Sequence, residues 1–184
     1  ADALAVAILD EALRLREAFP DIPILVMGWI RPEYAQIAAR KNIIVTVFQE
    51  SWVNEASKIL DQPLQVHLKI DSGMGRIGIR TKKEAYDVIR ACLSTNILIT
   101  GLFTHFATAD EADSSYYYKQ VKKFRELLNE IQPILPTPVE IHIGNSAASM
   151  QYPDDMFDAI RFGIGMYGFY PSQVVKKNTA LQLQ

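Results

Sequence analysis

In Leu64-Gln65-Val66-His67-Leu68-Lys69-Ile70-Asp71 the apolar residues alternate with polar ones. An extended backbone therefore puts Val66, Leu68 and Ile70 on one face and His67, Lys69 and Asp71 on the other. A lysine aimed into a protein interior has to be paired or chemically neutralised, because an isolated buried ammonium is costly. The alternative is that Lys69 reaches water at the edge of the fold along its flexible stem. The run leads into Ser72-Gly73-Met74-Gly75-Arg76-Ile77-Gly78. Its glycines permit close backbone approach, and Arg76 offers a planar fork of donors suited to an oxyanion. The stretch lacks the lysine and hydroxyl of a P-loop, and no acidic residue follows at dinucleotide spacing, so a plain turn is the competing reading.

Three further stretches combine polar groups with strand ends. Gly101-Leu102-Phe103-Thr104-His105-Phe106 places His105 at the end of a strand, as a general base or as a structural histidine. Ile141-His142-Ile143-Gly144-Asn145-Ser146-Ala147-Ala148 reads as a strand running into a helix capped by Asn145 or Ser146. Free amides and a hydroxyl there suit an anion, and capping alone is the other reading. In Ile160-Arg161-Phe162-Gly163-Ile164-Gly165-Met166-Tyr167-Gly168 the alternation turns Ile160, Phe162, Ile164 and Met166 outward and Arg161, Gly163 and Gly165 inward. The inward arginine needs a partner, and the glycines beside it leave room for backbone amides to meet a ligand.

These residues need elements to hold them. Strand patterns cover Leu4 to Ala7, Ile24 to Gly28, Ile43 to Phe48, Leu64 to Ile70, Ile97 to Phe106, Glu140 to Gly144 and Ile160 to Tyr167. Helical periodicity covers Leu9 to Phe19, Arg31 to Asn42, Gln49 to Leu60, Lys82 to Leu93 and Ser115 to Ile131. Strand and helix in alternation predict an α/β fold with a parallel sheet covered by helices. Seven such units fit a TIM-type (β/α)8 barrel with its first strand missing better than an open sheet. The chain opens on a strand without methionine, and we expect residues 1–184 to be one partial barrel domain. Every candidate residue then falls at the C-terminal ends of strands, where barrels keep their active sites. Ser146 and Gly163 lie on the last two strands, where many barrels bind phosphate.

Composition narrows the function class. The chain of 184 residues is 49% hydrophobic with a formal charge of −2 and a mean hydropathy of +0.02, as expected of a soluble domain. Its 19 basic and 21 acidic residues are interspersed without a cationic stripe, so nucleic acid is not an expected partner. No run approaches a membrane span and no signal sequence is visible, so no membrane association is expected. The single cysteine, Cys92, lies in a helical stretch as a small hydrophobe and is compatible with a reducing cytoplasm. Asp110, Glu111 and Asp113 read as a solvated loop, and no metal site is expected.

Taken together and in order, four motifs resemble alanine racemases, pyridoxal-phosphate enzymes of fold type III. They are Val66 through Gly78, Phe103-Thr104-His105-Phe106-Ala107, Asn145-Ser146-Ala147-Ala148 and Arg161 through Gly168. The resemblance covers essentially the whole chain and identifies it with the N-terminal barrel. It implies that Arg161 meets the pyridine nitrogen of the cofactor, with His105 bracing it, and that Arg76 holds the phenolic oxygen. Ser146, Gly163 and Ile164 match phosphate-binding positions, Asn145 accompanies them, and Arg76 and Met74 face the substrate. Lys69 matches a lysine that is carbamylated in many members, which turns an interior cation into an anion able to orient Arg76. The implied protein is a cytoplasmic homodimer that interconverts L- and D-alanine and supplies D-alanine for peptidoglycan.

Two departures accompany the likeness. The family's Schiff-base lysine segment and the tyrosine of its C-terminal β-domain have no counterpart here, so a barrel truncated at both ends, holding no catalytic base and inactive alone, is expected. The competing functions are a broader amino-acid racemase or a D-amino-acid aldolase, a non-catalytic pyridoxal-phosphate carrier, and an unrelated barrel for a phosphorylated metabolite. An aldolase would want a metal near the pocket. The metabolite barrel would leave Lys69 and Arg76 without a purpose.

Overall fold

The β-branched and aliphatic runs become seven strands in the computed structural model, which describes residues 1–136 and 138–178. They are β1 (Leu4–Val6), β2 (Ile24–Val26), β3 (Ile43–Val47), β4 (Leu64–Lys69), β5 (Ile97–Phe103), β6 (Glu140–Gly144) and β7 (Ala159–Ile160). Each pairs in parallel with the next, so spatial order equals chain order. That is the order of a barrel wall, and the curled sheet supplies seven strand-helix units of one, as expected. Its ends are β1 and β7, each with one strand neighbour among the described residues. Residues 179–184 of the expected domain lie outside the described residues.

Helices α1 (Leu9–Ala18), α2 (Ala35–Arg40), α3 (Glu50–Ala56), α4 (Lys82–Leu93), α5 (Ser115–Ile131), α6 (Ser146–Gln151) and α7 (Gln173–Asn178) follow the strands in turn. The bounds of α4 are those its periodicity predicts, because its start is chemically fixed. The Thr81 hydroxyl accepts from the Glu84 amide at 3.2 Å, and the Glu84 carboxylate accepts from the Thr81 amide at 3.3 Å. Helix α5 buries Tyr117, Val121, Phe124, Leu128 and Ile131, a stripe spaced by fours and threes that joins the hydrophobic core. Burying each such side chain stabilises the fold by roughly 1.5–3 kcal/mol. Cys92, on α4, is buried, and burial pushes its thiol up to about 12. Among the described residues no helix is long and apolar enough to cross a membrane.

The strand expected through Phe106 ends at Phe103 and the helix expected through Leu60 ends at Ala56, and two further elements change conformation within their expected bounds. The helix expected over residues 31–42 begins as a 3-10 turn at Pro32–Tyr34 and becomes α-helical at Ala35. The strand expected through Tyr167 ends at Ile160. From Ile164 to Tyr167 the chain is a 3-10 turn that stops at Gly168, whose φ of 78° is left-handed. Arg161 still points inward, but Ile164 and Met166 are half or more exposed, so alternation does not describe their positions.

Candidate functional site

One extra residue in β5 organises the interior. Ile99 pairs with Val66 but Gly101 pairs with His67, so Thr100 is a bulge. Ile97 and Ile99 face the helices, as does Leu102, three residues on instead of two. The bulge therefore turns Phe103 inward, opposite Lys69 on one side and His142 on the other. The Phe103 ring, buried at 1% exposure, stacks on the His142 imidazole at 4.9 Å with 8° between planes. The Lys69 ammonium lies 5.1 Å from its centroid and the Arg161 guanidinium carbon 5.3 Å.

Arg161 is fixed by all but one of its nitrogens. Nη1 donates to His142 Nδ1 at 2.8 Å and to the His142 carbonyl at 2.9 Å. Nη2 donates to the Thr104 carbonyl at 2.6 Å and to the Ile143 carbonyl at 3.3 Å, and lies 3.4 Å from His105 Nδ1. The Nε atom is buried and has no hydrogen-bond partner among the described residues. Burial lowers the guanidinium to about 10, so it remains a cation at neutral pH.

All three histidines converge here. His67 Nδ1 lies 2.9 Å from His142 Nε2, which extends the contact from Arg161 through two rings. Burial holds His67 and His105 down to about 4, with the Arg161 charge also acting on His105, and burial with Arg161 pushes His142 lower still. They are neutral imidazoles at neutral pH.

Lys69, at 4% exposure, is inside and not at the mouth, and it has no carboxylate within ion-pair distance among the described residues. Burial and the charges of Arg76 and Arg161 lower it to about 8, with Asp71 opposing. Arg76 is exposed on the loop beyond β4, near enough to act on both Lys69 and His105, and borders a cavity of about 520 Å³ with Gln49, Ile77 and Glu84. Met74, half-buried, shares that loop.

Asp71 shapes the loop. One carboxylate oxygen accepts from the amides of Gly73 at 3.1 Å and Gly75 at 2.9 Å, and the other from Arg80 Nε at 3.0 Å. Burial alone would raise this carboxyl, but the bonds from Gly75, Arg80 and Gly73 outweigh it and hold it below the usual range. Gly75 and Gly78 have φ of 73° and 135°, which only glycine adopts readily.

Asn145 caps α6, its side-chain oxygen accepting from the Ala148 amide at 2.9 Å. Ser146 is thereby freed to face β7, and its Oγ accepts from the amides of Gly163 at 3.0 Å and Gly165 at 3.3 Å. Its own hydroxyl hydrogen is left to donate. Among the described residues nothing lies within 4 Å of where a Cβ on Gly163 would stand, so that glycine borders open space beside the serine. Ile164 is 50% exposed next to it.

The rim thus brings Arg161, His105, Asn145, Ser146, Gly163 and Ile164 to one place, with Lys69 below and Arg76 across the loop. Nothing in the motifs marks His142, Phe103 or Gly101 as part of the site. His142 sits between isoleucines and reads as a gap in an apolar run, although period two and its neighbour Arg161 could have found it. The result is a hydroxyl with a hydrogen to donate beside the open side of Gly163, and next to it a buried guanidinium with one N–H unpartnered among the described residues.

Comparison with known proteins identifies the family. Residues 1–171 match the family described as alanine racemase, N-terminal domain. An alanine racemase of Listeria monocytogenes is 47% identical over 186 residues, covering 100% of this chain and 49% of that protein. One from Anoxybacillus flavithermus is 47% identical over 180 residues, covering 94% and 46%. The crystal structure of the Bacillus anthracis alanine racemase with bound L-Ala-P superposes with a TM-score of 0.94 at 41% identity, covering 100% of this chain and 48% of that one. A histidine racemase from Leuconostoc mesenteroides gives 0.86 at 30% identity over 95% of this chain and 48% of that one. The chain spans about half the length of the curated relatives it matches.

Proposed function

The chain belongs to the alanine racemase family, and on that premise we propose that it is the cofactor-holding half of a pyridoxal-phosphate-dependent racemase acting on alanine. The observation that carries the reading is the Nε–H of Arg161, the one buried donor of a guanidinium whose other nitrogens are engaged. A buried donor without a partner costs about 1–3 kcal/mol, and a ring nitrogen with a lone pair relieves it.

In this proposal Arg161 donates to the pyridine nitrogen of pyridoxal phosphate and, staying protonated, leaves that nitrogen without a proton of its own. His105 and His142 brace the guanidinium. Ser146 through its remaining hydroxyl hydrogen, with the Ile164 amide, the open side of Gly163 and the Asn145 cap beside it, would hold the phosphate. When bound, the cofactor stabilises negative charge at the substrate Cα, more weakly for want of a ring proton, and that favours return of the proton over side reactions. Lys69 is neutral often enough at about 8 to add carbon dioxide, forming an N–C bond and losing a proton. The resulting carbamate is an anion beside Arg76, which with Met74 faces the substrate and the phenolic oxygen.

The two side chains that remove and return the proton are proposed to come from outside this chain, so residues 1–184 alone hold the cofactor without turnover. A cytoplasmic homodimer supplying D-alanine for peptidoglycan belongs to the same proposal. The likeness to a histidine racemase gives weight to one second reading, a racemase for another amino acid.

The test is interconversion of D- and L-alanine by the polypeptide extended to its relatives' length, with pyridoxal phosphate and with Arg161→Glu in parallel. Fast racemisation that the substitution cripples or diverts to transamination is expected. Bound cofactor without racemisation of alanine overturns the alanine reading, and turnover of histidine in its place selects the second.

A further inference from the structure

His67 and His142 belong to strands two apart, β4 and β6, with β5 between them. Adjacent strands lie about 4.8 Å apart, so a ring on β4 meets a ring on β6 only if the intervening residue leaves the way open. Gly101 is that residue. It pairs with His67, and a Cβ on it would stand 2.5 Å from three atoms of the His67 ring, closer than atoms tolerate. The bulge at Thr100 places the glycine there, since an unbroken register would put Thr100 opposite His67.

The contact has a defined proton order. A guanidinium only donates, so His142 Nδ1, at 2.8 Å from Arg161 Nη1, presents a lone pair. The single proton of neutral His142 is then on Nε2 and is donated to His67 Nδ1 at 2.9 Å. His67 in turn carries its proton on Nε2. With the opposite tautomer, His142 would aim an N–H at the guanidinium.

We propose that His67, seated across Gly101, is a positioning residue for Arg161: it accepts from His142 Nε2 and so secures the tautomer whose bare Nδ1 holds the guanidinium in place. The proposal rests on the reading that Arg161 meets the pyridine nitrogen, but the tautomer order is a property of the protein before any ligand binds. Phe103, stacked on His142, supplies orientation and no proton, so the tautomer is set by the donor at one ring nitrogen, Arg161, and the acceptor at the other, His67.

The experiment is 15N NMR of the histidine side chains in the full chain, together with pyridoxal phosphate affinity of the protein at its relatives' length, for wild type, His67→Asn, His67→Leu and Gly101→Ala. An asparagine oxygen stands near the place of Nδ1 and still accepts, whereas leucine cannot. The wild type is expected to show His142 protonated at Nε2 and bare at Nδ1. His67→Asn is expected to keep that pattern and an affinity within about threefold, and His67→Leu to mix the tautomers and weaken affinity about tenfold, the loss of one good hydrogen bond. Gly101→Ala, which displaces the ring without removing it, is expected to follow His67→Leu. Circular dichroism of each variant confirms that the fold is retained. A wild-type His142 protonated at Nδ1, or a folded His67→Leu with unchanged tautomer and affinity, overturns the proposal. Expected tautomers with no binding of pyridoxal phosphate by the wild type would support the relay and overturn the cofactor reading instead.

Discussion

The ammonium of Lys69 lies 5.1 Å from the centroid of the Phe103 ring, with no carboxylate at ion-pair distance among the described residues. Because its pKa falls from 10.5 to about 8, the unfolded chain binds more protons than the folded one between those values. Stability therefore rises with pH across that window and is lowest, on this account, below pH 8. Lys69→Met, with a similar length and no charge, is expected to stabilise the chain by about 1–3 kcal/mol at pH 7 in buffer free of carbon dioxide, and to abolish the rise above pH 8. Urea denaturation at pH 7 and 10 measures both. Destabilisation by Lys69→Met would mean that the ring holds the cation better than burial penalises it.

With bicarbonate labelled with 13C, a carbamate signal coupled to the Lys69 side chain is expected in the wild type and not in Lys69→Arg. An arginine in its place cannot be carbamylated at neutral pH, because its guanidinium stays protonated. A spectrum identical for both forms would remove the carbamate from the proposed function.

Acid sensitivity has a defined window. His67 and His105 are held to about 4 and His142 lower, against 6.5 in the unfolded chain, so neutral imidazoles stabilise the fold fully above pH 6.5. That contribution is lost as pH falls from 6.5 toward 4. The chain has only three histidines, and the carboxyls with resolved shifts, at Asp61, Asp71 and Asp113, all titrate below 3.8, which assigns the window to the histidines. The urea midpoint is expected to decline steadily from pH 6.5 to 4.5, and less steeply in His67→Asn. An equal slope in that variant would count against a buried neutral His67.

Much of the fold was legible because the pattern and the physics coincide. Seven aliphatic runs became seven strands in order, and α4 kept the bounds Lys82 to Leu93 that its periodicity predicts. Period two correctly turned His67 and Lys69 inward. The bulge at Thr100 was not legible, because one extra residue among apolar neighbours leaves the composition of a strand unchanged, yet it decides that Phe103 faces inward. Past Ile160 the sequence keeps a period of two through alternating glycines while the backbone has already turned, so periodicity there reports spacing without extension. Of the site, the rim residues followed from their motifs, but the His142 contact did not, since a bond between strands depends on register.

Asp71 holds the loop that carries Arg76 and Met74 by accepting three N–H groups. Asp71→Ala leaves those donors without an acceptor, and a loss of about 1–3 kcal/mol is expected. The amides of Gly73 and Gly75 are expected to exchange with solvent at least about tenfold faster, while those of α5 change only with global stability. Hydrogen exchange read residue by residue separates the two. Uniform acceleration would mean that Asp71 supports the fold and not the loop.

Ser146 offers the sharpest test of the proposed site because its hydroxyl has two duties. The Oγ accepts from Gly163 and Gly165 and keeps one hydrogen to give away. If that hydrogen meets a phosphate, Ser146→Ala removes a charge-assisted bond worth about 1.5–3 kcal/mol, or roughly 10- to 150-fold in affinity. Pyridoxal, which has the same ring without the phosphate, would lose almost nothing. Measured side by side on the protein at its relatives' length, the two ligands separate phosphate contact from general damage. A selective loss for pyridoxal phosphate places the anion at Ser146. An equal loss for both means that the hydroxyl only ties β7 to α6, and the phosphate must then be sought along the side of Gly163 that is open among the described residues.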